Sequence, residues 1–379
     1  MYKDVSEFIK SLYPGKKSIS LHEPRFIGNE KKYLDECIDS TFVSSVGKYV
    51  NLFEEKIKNY TGAKYAIATS NGTSALHSAL LISGVKSGDL VITQPLSFIA
   101  TSNAISYVGA SPLYIDVDKK TLSLSDEKLS NFFKKETSIK NGKCYHKKSK
   151  KKISACVPMH TFGHPARIDC IAELCKKYKV ALVEDAAESI GSTYKNKQTG
   201  TFGFTGVYSF NGNKIITCGG GGIILTDNDK AGKLAKHLTT QAKVPHRWNF
   251  EHDAVGYNYR MPNINAALAC AQFENLEKFL NNKRNLANTY KDFFDEQGIS
   301  FFVEPDNCKS NYWLNCIFLK NRKERDAFLK FTNDNDVMTR PAWTLSNKLP
   351  MYKKCIAGNL ENAEWVSDRL VNIPSSVTI

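Results

Sequence analysis

The sequence predicts an α/β protein on a parallel or mixed sheet, and three observations carry the prediction. Short apolar runs alternate with helix-period segments over the first two thirds of the chain. The runs are apolar on both faces, as strands covered by helices on both sides must be. The 379 residues, 42% hydrophobic and 24% charged, suffice for one large domain with a smaller companion.

Taken in order, the opening "MYKDVSEFIKSLYPGKK" lacks an apolar signal core. No apolar run approaches the length of a membrane span, so a cytoplasmic protein without a membrane partner is expected. "KYAIATS" (64–70) reads as a buried strand and "GTSALHSALLISG" (72–84) as a helix with Leu76, Ala79 and Leu80 on one face. "DLVITQ" (89–94) is the next strand and "SFIATSNAISYVG" (97–109) the next helix. "SPLYIDVD" (111–118), "KKISACVPM" (151–159), "KVALVED" (179–185) and "GVYSF" (206–210) continue the strands, with a helix at "DCIAELCKKYK" (169–179). After Pro262 the texture changes. Residues 263–298 read as a long helix, straight or bent, with Asn263 suited to cap it and Gly298 to stop it. A strand-strand-helix pattern follows. We therefore expect a large domain over 1–262 and a small α+β domain over 263–379.

Composition excludes several functions. The ten cysteines are scattered without a CxxC pair, which fits reduced thiols and neither a disulfide framework nor a structural zinc site. Cys156, His160, His164 and Cys170 lack the paired spacing of zinc ligands, so no metal is expected. The net charge of +14 raises the question of nucleic acid, but residues 134–152 alone hold nine lysines and one glutamate. This reads as a solvated loop. No helix-turn-helix or zinc signature supports a DNA-binding regulator, so no nucleic-acid partner is expected.

The chemistry concentrates in four places. In "SNGTSAL" (70–76) a strand end runs into a helix start, where Gly72 admits close approach and the N–H groups at Thr73 and Ser74 suit an anion. "VEDAAES" (183–189) closes an apolar strand with two acids, and Asp185 suits either a cationic ligand or a helix cap. "YSFNGNKIITCGGGG" (208–222) puts Lys214 before four glycines. That order is the reverse of a nucleotide-triphosphate loop, and a partly desolvated lysine there is a candidate Schiff-base nucleophile. "VGYNYRMPNINAA" (255–267) is either a packing corner or a segment reaching another subunit's site. A lysine for an aldehyde, an acid for a ring nitrogen and a helix start for a phosphate are together what a pyridoxal phosphate enzyme needs.

The segments "SNGTSALHSAL", "EDAAESIGSTYKNKQTGTFGFTGVYSFNGNKIITCGGGG" and "YNYRMPNINAALACAQ" resemble the DegT/StrS-type sugar-nucleotide aminotransferases. The resemblance runs from about residue 20 to near the C-terminus. It implies the aspartate aminotransferase fold (fold type I), with pyridoxal 5'-phosphate as cofactor and a homodimer with shared active sites. Lys214 matches the lysine that binds the cofactor aldehyde and then moves the proton of the 1,3-prototropic shift. Asp185 matches the partner of the pyridine nitrogen, Glu188 the residue near the ring hydroxyl, and Phe98 the aromatic stacked on the ring. Gly72, Thr73 and Ser209 match phosphate contacts. Asn258 matches an asparagine given across the dimer interface, and His160 a residue lining the cofactor.

The family commonly reads "GEGG" where this chain has Gly219-Gly220-Gly221-Gly222. With "PMHTFGHPARID", "RPAWTLSNKLPMYKKC" and "VNIPSS", this departure resembles the 4-aminotransferases of bacterial legionaminic acid biosynthesis. That subgroup implies UDP-2-acetamido-2,6-dideoxy-hexos-4-ulose as substrate and L-glutamate as amino donor. A 3-aminotransferase acting on a dTDP-keto sugar stays open as the alternative. The related sugar dehydratases carry histidine in place of the lysine, and Lys214 argues against them. Arg260, Arg340 and the lysine-rich segment are candidates for the nucleotide diphosphate, and Trp343 and Tyr257 for the base or sugar.

Overall fold

The computed structural model describes residues 2–379. Ten strands form its central sheet. Eight of them lie in the order Tyr65–Thr69, Gly222–Thr226, Thr205–Ser209, Ala181–Asp185, Lys152–Val157, Leu90–Thr93, Ser111–Tyr114 and Ile356–Ala357. From Thr205–Ser209 onward every neighbour is parallel. Gly222–Thr226 runs antiparallel to both strands beside it. The sheet is therefore mixed and mostly parallel, as the double-sided apolar runs predict.

Strand alternation explains those runs, because successive side chains point to opposite faces. Val91, Ala155, Val183, Val207 and Ile224 pack on one face with Leu76, Ala79 and Leu80 of helix Gly72–Ile82. Their chain neighbours Leu90, Ile92, Cys156 and Leu182 pack on the other with Ile168, Ile171 and Cys175 of helix Ile168–Tyr178. Both faces are dry, so polar alternation has no place in these strands.

Two expectations need correction. The lysine-rich segment is a hairpin, Thr137–Lys140 with Lys143–His146, whose second strand pairs with the start of Lys152–Val157. Buried Thr137, Cys144 and His146 give it an inner face while most of its lysines stay in water. The long helix goes beyond a bend: it is two helices, Asn263–Glu274 and Leu276–Glu296, meeting at Asn275. There the Asn275 N–H bonds back three residues to Gln272, tightening the last turn.

The later part of the chain builds a four-stranded sheet ordered Ser300–Phe301, Asn315–Phe318, Leu370–Ile373, Arg340–Pro341, flanked by helix Arg322–Asp334. The chain crosses between the two sheets at both ends. Val5 and Ile9 of the first helix pack with Leu286, Tyr290 and Phe328, and Ile356–Ala357 returns to pair with Ser111–Tyr114.

One glycine in the central sheet is fixed by close approach. A Cβ on Gly206 would lie 2.0 Å from the Gly200 carbonyl oxygen. That loop cannot give way, since Glu184 accepts the N–H groups of Gly200, Phe202 and Gly203 at 2.8, 2.6 and 2.7 Å. Gly206→Ala is expected to lower unfolding stability by about 3 kcal/mol, read by chemical denaturation.

Candidate active site

At the carboxyl ends of the parallel strands lies a cavity of 290 Å³, the location expected for a ligand in an open α/β sheet. It brings together seven of the residues singled out from sequence: Gly72, Thr73, Phe98, Asp185, Glu188, Ser209 and Lys214.

Asp185 ends its strand and is only 5% exposed. The Thr101 hydroxyl donates to Oδ2 at 2.7 Å and the Ala187 N–H to Oδ1 at 3.2 Å. Burial raises the carboxyl above its ordinary range, and these two donors, Lys214 and His160 oppose that rise. A cation placed against Asp185 would complete what the protein leaves unbalanced.

Glu188 is 3% exposed. Its Oε2 accepts the Phe162 N–H at 2.9 Å, and its Oε1 lies 3.4 Å from the Lys214 Nζ. Burial pushes this carboxyl up to about 7, against the pull of Lys214 and of the Phe162 N–H. Lys214 leaves the strand Thr205–Ser209 through the turn at Asn211, whose carbonyl accepts its N–H at 3.0 Å. Its ammonium sits 3.9 Å from the centre of the Trp313 ring, within range of a cation–π contact.

The anion end of the cavity is built where helix Gly72–Ile82 begins. Asn71 caps the helix by accepting the Ser74 N–H at 2.8 Å. The first N–H groups of a helix have no partner within it, and Gly72 and Thr73 line the cavity. A Cβ on Gly72 would fall 2.8 Å from the Ser209 Cβ. Glycine thus lets the strand bearing Ser209 close on the helix start.

His160 lies elsewhere, and Asn258, expected to serve a second copy, lies outside its own chain's cavity. His160 is fully buried, but its ring faces away from the cavity. Nε2 lies 3.1 Å from Glu184 Oε2, and Nδ1 accepts the Ala166 N–H at 3.1 Å. The preceding residue, Met159, bridges to Asp185 and lines the cavity instead. Asn258 is exposed, in a bridge to Thr240, and is not part of the cavity of its own chain. Arg340 is spent on Asn333 and the Thr339 carbonyl, Arg260 lines a separate cleft with Lys236, and Tyr257 packs on His77. Trp343 does line the cavity.

Several site residues escaped the sequence reading. Thr101 is within reach of sequence reasoning, three residues after Phe98 on a predicted helix. Asn211 and Asn213 both precede the lysine and read only as turn formers. Trp313 gave no signal, because it arrives from more than ninety residues downstream. Its indole N–H donates to the Asn213 carbonyl at 2.7 Å and its own N–H to Asn311 Oδ1 at 2.8 Å. Beneath it the buried Lys283 amine donates to the carbonyls of Trp313 and Ser375, and burial depresses that amine well below the usual lysine range.

The sequence profile of the DegT/DnrJ/EryC1/StrS aminotransferase family matches residues 24–379. The chain is 37% identical over 361 residues to a GDP-perosamine synthase of Escherichia coli O157:H7, covering 95% of this chain and 93% of that one. It is 34% identical over 355 residues to the putative pyridoxal phosphate-dependent aminotransferase EpsN of Bacillus subtilis, covering 93% and 89%. The fold matches Helicobacter pylori PseC, an aminotransferase involved in the biosynthesis of pseudoaminic acid, with a TM-score of 0.85 at 22% identity, covering 94% of each chain. The chain belongs to the DegT/DnrJ/EryC1/StrS aminotransferase family and is a pyridoxal phosphate-dependent sugar aminotransferase of fold type I.

The residues present fit pyridoxal phosphate. A buried carboxylate short of a cation, a lysine amine facing the same space and a helix start closed by a serine match its ring nitrogen, aldehyde and phosphate. Thr101→Val removes the 2.7 Å donor to Asp185. A bond to a charged acceptor is worth about 1.5–3 kcal/mol. The variant is expected to keep its fold and to hold pyridoxal phosphate at least about tenfold more weakly, measured by equilibrium dialysis.

Proposed function

We propose that this enzyme transfers the amino group of L-glutamate to the keto carbon of a nucleotide-linked 4-keto-6-deoxy sugar, releasing 2-oxoglutarate and a 4-amino sugar nucleotide. The observation that supports it best is the convergence of Asp185, Glu188 and Lys214 on one 290 Å³ cavity beside a helix start. Pyridoxal phosphate supplies the electron sink that lets a C–H bond next to nitrogen ionise. In this reading the chain's own groups do the rest. Asp185 holds a positive charge at the ring nitrogen, which a buried carboxylate does strongly. Lys214 Nζ takes the proton from the glutamate Cα and, in the second half, delivers one to sugar C4. Glu188, pushed up to about 7, exchanges a proton with its near neighbours at neutral pH. Gly72, Thr73 and Ser209 hold the phosphate, and Phe98 covers the ring.

Support for a homodimer comes from exposed apolar groups that a single chain leaves in water. Phe42, Val46, Trp248, Phe250 and Val255 are 56%, 62%, 69%, 80% and 83% exposed. Asn258 lies just past the last three, free to serve a second copy's phosphate.

For the substrate, the subgroup resemblance favours UDP-2-acetamido-2,6-dideoxy-hexos-4-ulose, as in legionaminic acid formation. A GDP-linked 4-keto-6-deoxy sugar is a second reading. It is favoured by the GDP-perosamine synthases of Escherichia coli, Vibrio cholerae and Caulobacter vibrioides, to which the chain is 37%, 34% and 33% identical.

Purified protein is expected to be yellow, and borohydride should fix the cofactor on Lys214 in a peptide map. Lys214→Ala should fold normally and lose transfer. Turnover by that variant would show that the nucleophile is another residue. A panel of UDP-, GDP- and dTDP-linked keto sugars with L-glutamate decides the nucleotide, with preference for dTDP and amination at C3 counting against the C4 reading.

A further inference from the structure

One wall of the cavity is aromatic, and its parts come from distant points of the chain. Phe98 stands at the start of helix Ile99–Tyr107 with 51% of its surface exposed. Its one aromatic neighbour among the described residues is Trp343, with ring centres 6.3 Å apart in an edge-on arrangement. Trp343 in turn lies on the Phe162 ring at 4.8 Å.

Phe162 is unusual. It is fully buried, yet its φ of 56° lies in the left-handed region. A bulky side chain is disfavoured there and persists only where its surroundings hold it. The holder is the cavity itself, since the Phe162 N–H donates to Glu188 Oε2 at 2.9 Å. Three residues beyond Trp343, the Ser346 N–H donates to the Pro95 carbonyl at 2.9 Å. The segment is anchored again where the Tyr352 hydroxyl donates to Asn103 Oδ1 at 2.6 Å. The chain between strands Arg340–Pro341 and Leu370–Ile373 therefore straps down the segment that carries Phe98, and Trp343 is the part of the strap that meets the cavity.

We propose that Trp343 is a positioning residue for the cofactor-covering ring: seated on Phe162, whose strained backbone Glu188 pins, it holds Phe98 over the cavity. The proposal rests on the reading of this cavity as the pyridoxal phosphate site. An edge-on aromatic pair shifts an equilibrium by about two- to twelvefold, enough to decide whether a half-exposed phenyl ring lies over its target.

The test is a double-mutant cycle on holoenzyme, read by the dissociation constant for pyridoxal phosphate and by the visible circular dichroism of the bound cofactor. Trp343→Ala is expected to raise the constant about tenfold and to diminish the dichroism. Trp343→Phe should return both to within about threefold of wild type. In a Phe98→Leu background, Trp343→Ala should add nothing, because its effect passes through Phe98. Independent, multiplying effects would overturn the proposal, as would unchanged dichroism in Trp343→Ala. If alanine lowers the thermal midpoint, Trp343→Leu, which keeps bulk on Phe162, takes its place in the cycle. Failure of wild-type protein to bind pyridoxal phosphate would refute the functional reading. Binding by wild type with an additive cycle would refute only the role of Trp343.

Discussion

Two acids side by side at the end of one buried strand organise this molecule. Because side chains alternate along a strand, Glu184 and Asp185 must face opposite ways. Glu184, fully buried, turns inward to the loop before the next strand and to His160. It accepts three backbone N–H groups and an imidazole, enough to keep a buried carboxylate satisfied. That loop then leads directly into Thr205–Ser209, the strand that delivers Ser209 and Lys214. Asp185, facing the cavity, has two donors and remains short of a cation. The same backbone thus spends one acid on holding the loop and leaves the other for chemistry.

The cavity also carries a cost in strain and burial, and the two are linked through Glu188. Its one oxygen steadies the left-handed Phe162 while the other meets the lysine. A carboxylate that served Lys214 alone would be free to swing toward the amine. Tied to a backbone N–H in a water-poor site, it is fixed in direction and displaced in proton affinity. Removing it would disturb the aromatic wall as well as the lysine, so effects of substitution at Glu188 are not assignable to proton transfer alone.

The run of four glycines shows where a motif is steric and where it is not. A Cβ on Gly222 would fall 2.4 Å from the carbonyl oxygen of Asn71, the residue that caps the helix start at the cavity. Gly219 has a φ of 79°, which favours glycine. At Gly220 the nearest atom to an added Cβ is the Ser70 carbonyl oxygen at 3.4 Å, an ordinary contact. The departure from the common "GEGG" pattern therefore falls at the one position of the run with room for a side chain and no positive φ. The backbone here does not require glycine at 220.

The sequence by itself determined the sheet class and the charged and phosphate-facing part of the candidate cavity. Double-sided apolar strands, a capped glycine helix start, an acid at a strand end and a lysine after a turn are all local signals, set by dihedral preference, capping and alternation. That is why Gly72, Thr73, Asp185 and Lys214 are legible from local pattern, whereas Phe98, Glu188 and Ser209 enter only through the family resemblance; all seven meet at one place. What the tertiary structure decided is which side each chain neighbour faces and which remote residues join them. His160 was misread by one residue of strand register, since Met159 takes the cavity side. Trp313 reaches the cavity from the second sheet's part of the chain, joining Trp343, which was a sequence candidate, and Thr101 matters only through its helix-to-strand contact with Asp185. Such pairings depend on strand order and on where the chain returns, and no local pattern encodes either.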